Sequence, residues 1–101
     1  MTNRLKLHNL LVDLFGSNNV YYQPPESIKL KYPCILYSHD RSDSQFGDNH
    51  AYIYKKRYQI TVIDPKPDNP VLDKLPLLPQ CLFDRHYSSD NLHHYIFNIY
   101  F

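Results

Sequence analysis

The sequence predicts one α+β domain, residues 1–101, in which an N-terminal amphipathic helix packs on a mostly antiparallel β-sheet of four to five strands. The first observation is that apolar side chains in residues 3–15 recur at helical spacing: Leu7, Leu10, Leu11, Leu14 and Phe15. The second is a long alternating stretch at residues 52–63, and the third is a final stretch at residues 92–101 with large apolar side chains on both faces. A chain of 101 residues is long enough for one hydrophobic core.

Residues 52–63 predict a central strand. Alternation places one set of side chains on one face, interrupted by Lys56: Tyr52, Tyr54, Tyr58, Ile60 and Val62. The other face carries Ile53, Lys55, Arg57, Gln59 and Thr61. At about 3.3 Å per residue the strand would reach about 40 Å, which is longer than a domain of this size is wide. We therefore expect part of it to project beyond the sheet or to pair with another chain.

Apolar runs and turn-forming residues predict the elements that precede this strand. Gly16 ends the first helix, and residues 20–22 predict a short strand that stops before two prolines. Residues 34–37 (CILY) predict a short buried strand. Residues 38–50 are almost entirely polar, so we expect them to form a long mobile loop.

After the central strand the chain predicts shorter elements. The segment DPKPDNP holds three prolines and predicts a turn, and residues 71–78 predict a short second helix that Pro76 interrupts. Residues 80–83 predict a strand and residues 83–91 (FDRHYSSDN) a polar turn closed by Asp84, Asp90 and Asn91.

Composition limits the classes of function. The formal net charge is +1, and the two glycines, Gly16 and Gly47, form no phosphate-binding loop. No apolar run is long enough to span a bilayer and no signal peptide is visible, so we expect a soluble intracellular protein without membrane contact. Cys34 and Cys81 each lie in an apolar run and are expected to be buried, reduced thiols.

The histidines and cysteines show no pattern of a metal or catalytic site. His93 and His94 are adjacent and so point to opposite faces of a strand, and no CxxC or HxxxH spacing occurs. Asp84 and His86 stand near Cys81, but a nucleophilic thiol needs an exposed, electropositive setting and Cys81 lies in an apolar stretch. We expect no enzyme activity, no metal site and no cofactor.

A basic cluster, Lys55, Lys56 and Arg57, is interleaved with Tyr54 and Tyr58. One interpretation is a nucleic-acid platform and another is a set of charges that protects a strand edge. The third, favoured by the length of the strand, is that these residues meet acidic groups on an adjacent subunit.

Four segments together resemble one protein family: VYYQPPES, YPCILY, RYQITVID before the proline turn, and FDRHYSSDNLHH before the last strand. In this order they are similar to small tail-terminator or tail-completion proteins of long-tailed bacteriophages, over nearly the whole chain. The resemblance implies a structural virion protein that forms a ring, commonly a hexamer, at the head-proximal end of the tail tube. It also implies that the ring ends tube polymerisation in the host cytoplasm and joins the tail neck to the head connector or head-closure protein. DNA then passes through the ring lumen without specific binding.

In such a ring, contacts between subunits are expected at Tyr52, Tyr54, Lys55, Arg57, Arg85, His86 and Tyr87. Contacts of the predicted loop with the tube protein or connector are expected at Asp40, Arg41, Asp43, Gln45, Phe46 and Asp48. Two alternatives remain open: another neck component, such as a head-closure or minor capsid protein, and a small nucleic-acid-binding module that uses Lys29, Lys31 and the basic cluster.

Overall fold

A computed structural model describes residues 3–47 and 50–101 and, within residues 41–55, the backbone alone. In those two ranges five strands form one sheet in the order β1-β2-β3-β5-β4. The elements are α1 (Asn3–Phe15), β1 (Val20–Tyr22), β2 (Cys34–Gly47), β3 (His50–Asp64), α2 (Val71–Lys74) with a 3₁₀ turn (Leu75–Leu77), β4 (Cys81–Ser89) and β5 (Leu92–Tyr100). β1 pairs with β2 in parallel and the other pairs are antiparallel, which confirms the predicted α+β class.

Helix α1 begins and ends as its periodicity predicts. Leu7 and Leu11 are fully buried against the sheet. Gly16 takes a φ of 74°, and its N–H donates to the Val12 carbonyl at 2.9 Å. Glycine is the residue that reaches this left-handed conformation at least cost, so it ends the helix here.

The core lies between α1, α2 and one face of the sheet. On β3 the predicted apolar face is confirmed where side chains are described, because Tyr58, Ile60 and Val62 are all buried. The ladder sets Ile60 opposite Tyr37 of β2 and Phe97 of β5, and both of these side chains are buried as well. The α1-covered face is therefore continuous across the three inner strands.

The proline turn after β3 is held by the side chain of Asp64, which is buried. Its carboxylate accepts hydrogen bonds from the Lys66 N–H at 2.8 Å and from the Asn69 Nδ2 amide at 2.7 Å. The Asn69 Oδ1 in turn accepts from the Val71 N–H at 3.0 Å, at the start of α2. Asp64 thus connects the end of β3 to the helix that closes the core.

Replacing Asp64 with alanine should lower the free energy of unfolding by about 1–3 kcal/mol, because two partly buried hydrogen bonds to a charged acceptor are lost. Urea denaturation followed by circular dichroism measures the change. The matched control is Asp73→Ala in the exposed first turn of α2, which should change stability by less than about 0.5 kcal/mol. Equal losses in the two variants would contradict the role given to Asp64.

The predicted loop at residues 38–50 is wrong, because β2 continues to Gly47 and β3 begins at His50. Asp48 and Asn49 lie outside the described residues. The outer half of β2 is polar and pairs with β3 beyond the end of the ladder between β3 and β5, so backbone pairing and not apolar alternation defines this part of the strand. One irregularity, between His39 and Arg41, leaves Asp40 as the bulged residue.

The polar turn predicted at residues 83–91 is also wrong in its extent, because β4 continues to Ser89. The turn itself consists of Asp90 and Asn91, with φ angles of 53° and 62°, as a two-residue hairpin of type I′ requires. Asp84 lies at a bulge in β4, between Phe83 and Arg85, and does not close the turn. β4 tolerates polar residues because it is an edge strand.

Candidate interaction surface

Strands β2 and β3 continue together beyond the rest of the sheet. The ladder between β3 and β5 ends where Arg57 lies opposite Tyr100. The ladder between β2 and β3 goes on to the pair of Gly47 and His50. We call this two-stranded extension, residues 41–47 and 50–56, the arm. It accounts for a long axis of 51 Å against 25 and 23 Å in the other directions, and it confirms that the central strand projects.

Most of the predicted contact residues of the long strand and the former loop lie on the arm. Their backbone is described but their side chains are not: Arg41, Asp43, Gln45, Phe46, Tyr52, Tyr54 and Lys55. Asp48 lies outside the described residues. In the ladder Lys55 stands opposite Asp43 and Tyr54 opposite Ser44. An acidic residue therefore lies across from Lys55 within the arm itself, where the sequence suggested one on a neighbouring subunit.

Two of the predicted contact residues meet at the base of the arm. The Arg57 guanidinium forms an ion pair with the bulged Asp40, and both side chains are partly exposed. Such a pair contributes at most about 1 kcal/mol. The Arg57 Nε–H is buried and makes no hydrogen bond within the described part of the chain. Arg57 thus joins β3 to β2 where the arm leaves the sheet.

Strand β4 forms the opposite edge of the sheet. It pairs with β5 on one side, and no strand of residues 3–47 or 50–101 pairs with its other side. Its exposed side chains include three large apolar ones, Leu82 at 68%, Phe83 at 54% and Tyr87 at 43% exposed. An open row of backbone donors and acceptors next to apolar side chains is suited to contact with another chain. Leu82 and Phe83 are within the strand predicted at residues 80–83, but their apolar character alone does not show that this strand lies at an edge of the sheet.

The predicted group Arg85, His86 and Tyr87 is divided between the two faces of the sheet. Arg85 and Tyr87 are on the face opposite α1, where Arg85 pairs with Asp84 at 3.0 Å. The Tyr87 ring stacks on His94 with centroids 4.6 Å apart. His86 is on the α1 face, beyond the helix-covered core, and stacks on Tyr95 at 4.3 Å. Arg85 and Tyr87 therefore share a surface that His86 does not join.

Both cysteines are free and buried, as predicted. Cys34 is on β2 and Cys81 on β4, with two strands between them, so their backbones are at least about 14 Å apart and too far for a disulfide. Burial raises the pKa of each thiol to about 11. A thiol in that setting is a poor nucleophile at neutral pH, which argues against Cys81 as the nucleophile beside Asp84 and His86.

Among the side chains that the structure describes, those of residues 3–40 and 56–101, no group of three or more histidine, cysteine, aspartate or glutamate residues is placed to hold a metal ion. The helices of that same part of the chain are too short or too polar to cross a membrane. No protein family, curated protein or solved structure matches the chain.

Proposed function

We propose that the protein is a structural subunit of a bacteriophage virion, which assembles into a ring on the head-proximal end of the tail tube. The ring ends tube polymerisation and joins the tail to the head connector. The proposal rests on the resemblance of the four sequence segments and, above all, on the projecting arm. The arm is the one large element whose contacts within its own chain do not explain its length.

A two-stranded ribbon is at best marginally stable in water, because it lacks a third strand or a packed helix. In the described backbone the arm has neither, since β5 stops at Tyr100 and α1 packs on the inner sheet. Contact with another chain supplies the missing support. The open edge of β4, which β5 separates from β3, offers such a contact.

The arm and the open edge of β4 are two different surfaces, as the contacts within a ring require. A closed ring of identical subunits is built from heterologous contacts, where one surface of a subunit meets a different surface of the next. The arm extends from β2 and β3 in the middle of the sheet, whereas the exposed Leu82 and Phe83 are on the edge strand β4. Each subunit therefore carries two unlike strand surfaces, with β5 between β3 and β4.

The charges of the chain favour this function over nucleic-acid binding. The formal net charge is +1, and Arg57 of the basic cluster is already paired with Asp40. A near-neutral surface binds the phosphate backbone weakly. DNA that passes through a ring during ejection must not be held by the ring, so weak binding fits this function.

The test is cryo-electron microscopy of particles from cells that express the protein with a candidate tail tube protein. We expect one ring on one end of tubes of uniform length. Tubes of varied length without the protein bound would contradict the proposal. A ring that binds a connector protein but no tube would instead support the head-closure function.

A variant with a shortened arm tests, in the same experiment, whether the arm is needed to cap the tubes. Arg41 and Arg57 are opposite in the ladder. Replacing residues 42–56 with Asn-Gly therefore connects Arg41 to Arg57 through a type I′ turn and keeps the core residues. We expect this variant to fold but to leave tubes uncapped, while Lys66→Ala on the exposed proline turn still caps them. Normal capping by the shortened variant would refute the role of the arm.

A further inference from the structure

Two histidines face each other across the β4–β5 hairpin. His86 Nε2 lies 3.3 Å from His93 Nδ1, although seven positions separate the residues in sequence. The ladder sets His86 opposite Tyr95 and Ser88 opposite His93, so the two histidines are diagonal neighbours on the same face of the sheet. This face is the α1 side of the sheet, at the end that the helix leaves uncovered.

The distance between the two nitrogens suits a shared metal ion. Two imidazole nitrogens bound at about 2.0–2.1 Å to a tetrahedral ion lie roughly 3.3–3.4 Å apart. Without an ion the two nitrogens are within reach of a weak N–H···N hydrogen bond, and the two rings are stacked at 25° with centroids 5.5 Å apart. The same spacing also suits one ion bound between the two nitrogens.

Neighbouring groups hold the rings in place. The Tyr95 ring lies parallel to that of His86, with centroids 4.3 Å apart and planes 5° apart. Ser88 Oγ also lies 3.3 Å from His93 Nδ1, and an ion bound at this nitrogen would replace that hydrogen bond. Because His86 is exposed and His93 half-buried, an ion reaches the pair from solvent while one ligand stays anchored in the sheet.

We propose that His86 and His93 form a bidentate surface site for a divalent late transition-metal ion of the Ni²⁺, Cu²⁺ and Zn²⁺ group. Neutral imidazole binds these ions, whereas Mg²⁺ and Ca²⁺ prefer oxygen ligands. Water fills the remaining coordination positions. His86 is on β4, whose open edge is one of the two proposed ring contacts, but binding of the ion needs only the β4–β5 hairpin and does not depend on the ring function.

Zinc titration of the full chain, with ¹⁵N NMR of the imidazoles and equilibrium dialysis, tests the proposal. We expect Zn²⁺ to perturb His86 and His93 together and to raise the Tm with the logarithm of its concentration above the Kd, because an ion bound to the native state alone stabilises it. Removing a residue that only contacts a metal ligand lowers metal affinity about 10–100-fold. His86→Gln removes a ligand itself, so the affinity for Zn²⁺ should fall at least about tenfold. Mg²⁺ at the same concentration should have no effect.

His94→Gln is the matched control, because His94 adjoins His93 but lies on the opposite face against Tyr87. It should leave Zn²⁺ affinity unchanged. His86 is exposed, so its substitution spares the core and circular dichroism should show a native fold. Zinc affinity that is unchanged in His86→Gln, or lowered equally in His94→Gln, would overturn the proposal, as would the absence of any imidazole shift in the wild type.

Discussion

Replacing Phe97 with alanine lowers the free energy of unfolding by about 3–5 kcal/mol. Phe97 is 2% exposed and sits on β5 between Ile60 of β3 and Phe83 of β4. Its ring is part of the core cluster under α1, so its loss removes apolar burial and leaves a cavity. Chemical denaturation followed by circular dichroism gives the change in free energy, which is a large part of the roughly 5–15 kcal/mol typical of a domain.

Phe83→Ala is the matched control, because Phe83 forms the other half of the same edge-to-face pair. The ring centroids are 5.3 Å apart, but Phe83 is 54% exposed on the edge strand. We expect a loss of about 1 kcal/mol, since the substitution removes a partly exposed ring and opens no closed cavity. If Phe83→Ala cost as much as Phe97→Ala, β4 would be covered in solution, and the open edge assigned to it would be wrong.

The sequence alone predicts the buried half of this fold well, because a face that packs on the core carries apolar side chains at regular spacing. The helix over Asn3–Phe15 has the bounds that its leucine spacing predicts. Tyr58, Ile60 and Val62 alternate as the buried face of β3, and the proline turn begins directly after Asp64. Each of these signals arises because one face of the element must exclude water.

The outer half of β2 and most of β4 could not be predicted in the same way. Hydrogen bonds to a neighbouring strand fix these segments, and such bonds need no particular side chain. Residues 38–47 therefore read as a polar loop, and residues 84–89 as a polar turn, although both are strands. The length of β3 was the indirect signal, since a strand that outruns its sheet needs at least one partner along its extension.

The contacts of the candidate surface follow from register, which the sequence analysis did not determine. Asp40 and Arg57 were assigned to different contacts, yet a bulge brings them together. The proximity of His86 and His93 follows from the turn, because positive φ at Asp90 and Asn91 fixes which residues of β4 and β5 are opposite. An Asp-Asn pair between alternating residues is a type I′ signal, so recognising it would have predicted this pairing.

Raising the pH from 9 to 11 should remove several kcal/mol of stability. Burial raises the pKa of Cys34 and of Cys81 from 9.0 to about 11, because a buried thiolate loses its hydration. Below pH 9 both thiols are protonated in the folded and unfolded states, and their full contribution is present. Between pH 9 and 11 the unfolded chain releases protons that the folded chain retains, so stability falls until the folded thiols also ionise. Each thiol accounts for about 2–3 kcal/mol of this loss.

The double variant Cys34→Ala, Cys81→Ala isolates this effect. It should be less stable than the wild type at pH 7, because alanine leaves small cavities, yet its stability should fall less steeply between pH 9 and 11. Burial also raises the pKa of Tyr37, whose hydroxyl lies 2.8 Å from His8 Nδ1, so some alkaline loss should persist in the double variant. Urea denaturation at fixed pH steps, under reducing conditions, measures both curves. Parallel curves would mean that the thiols ionise alike in both states, which is incompatible with the burial of Cys34 at 0% and Cys81 at 6% exposure.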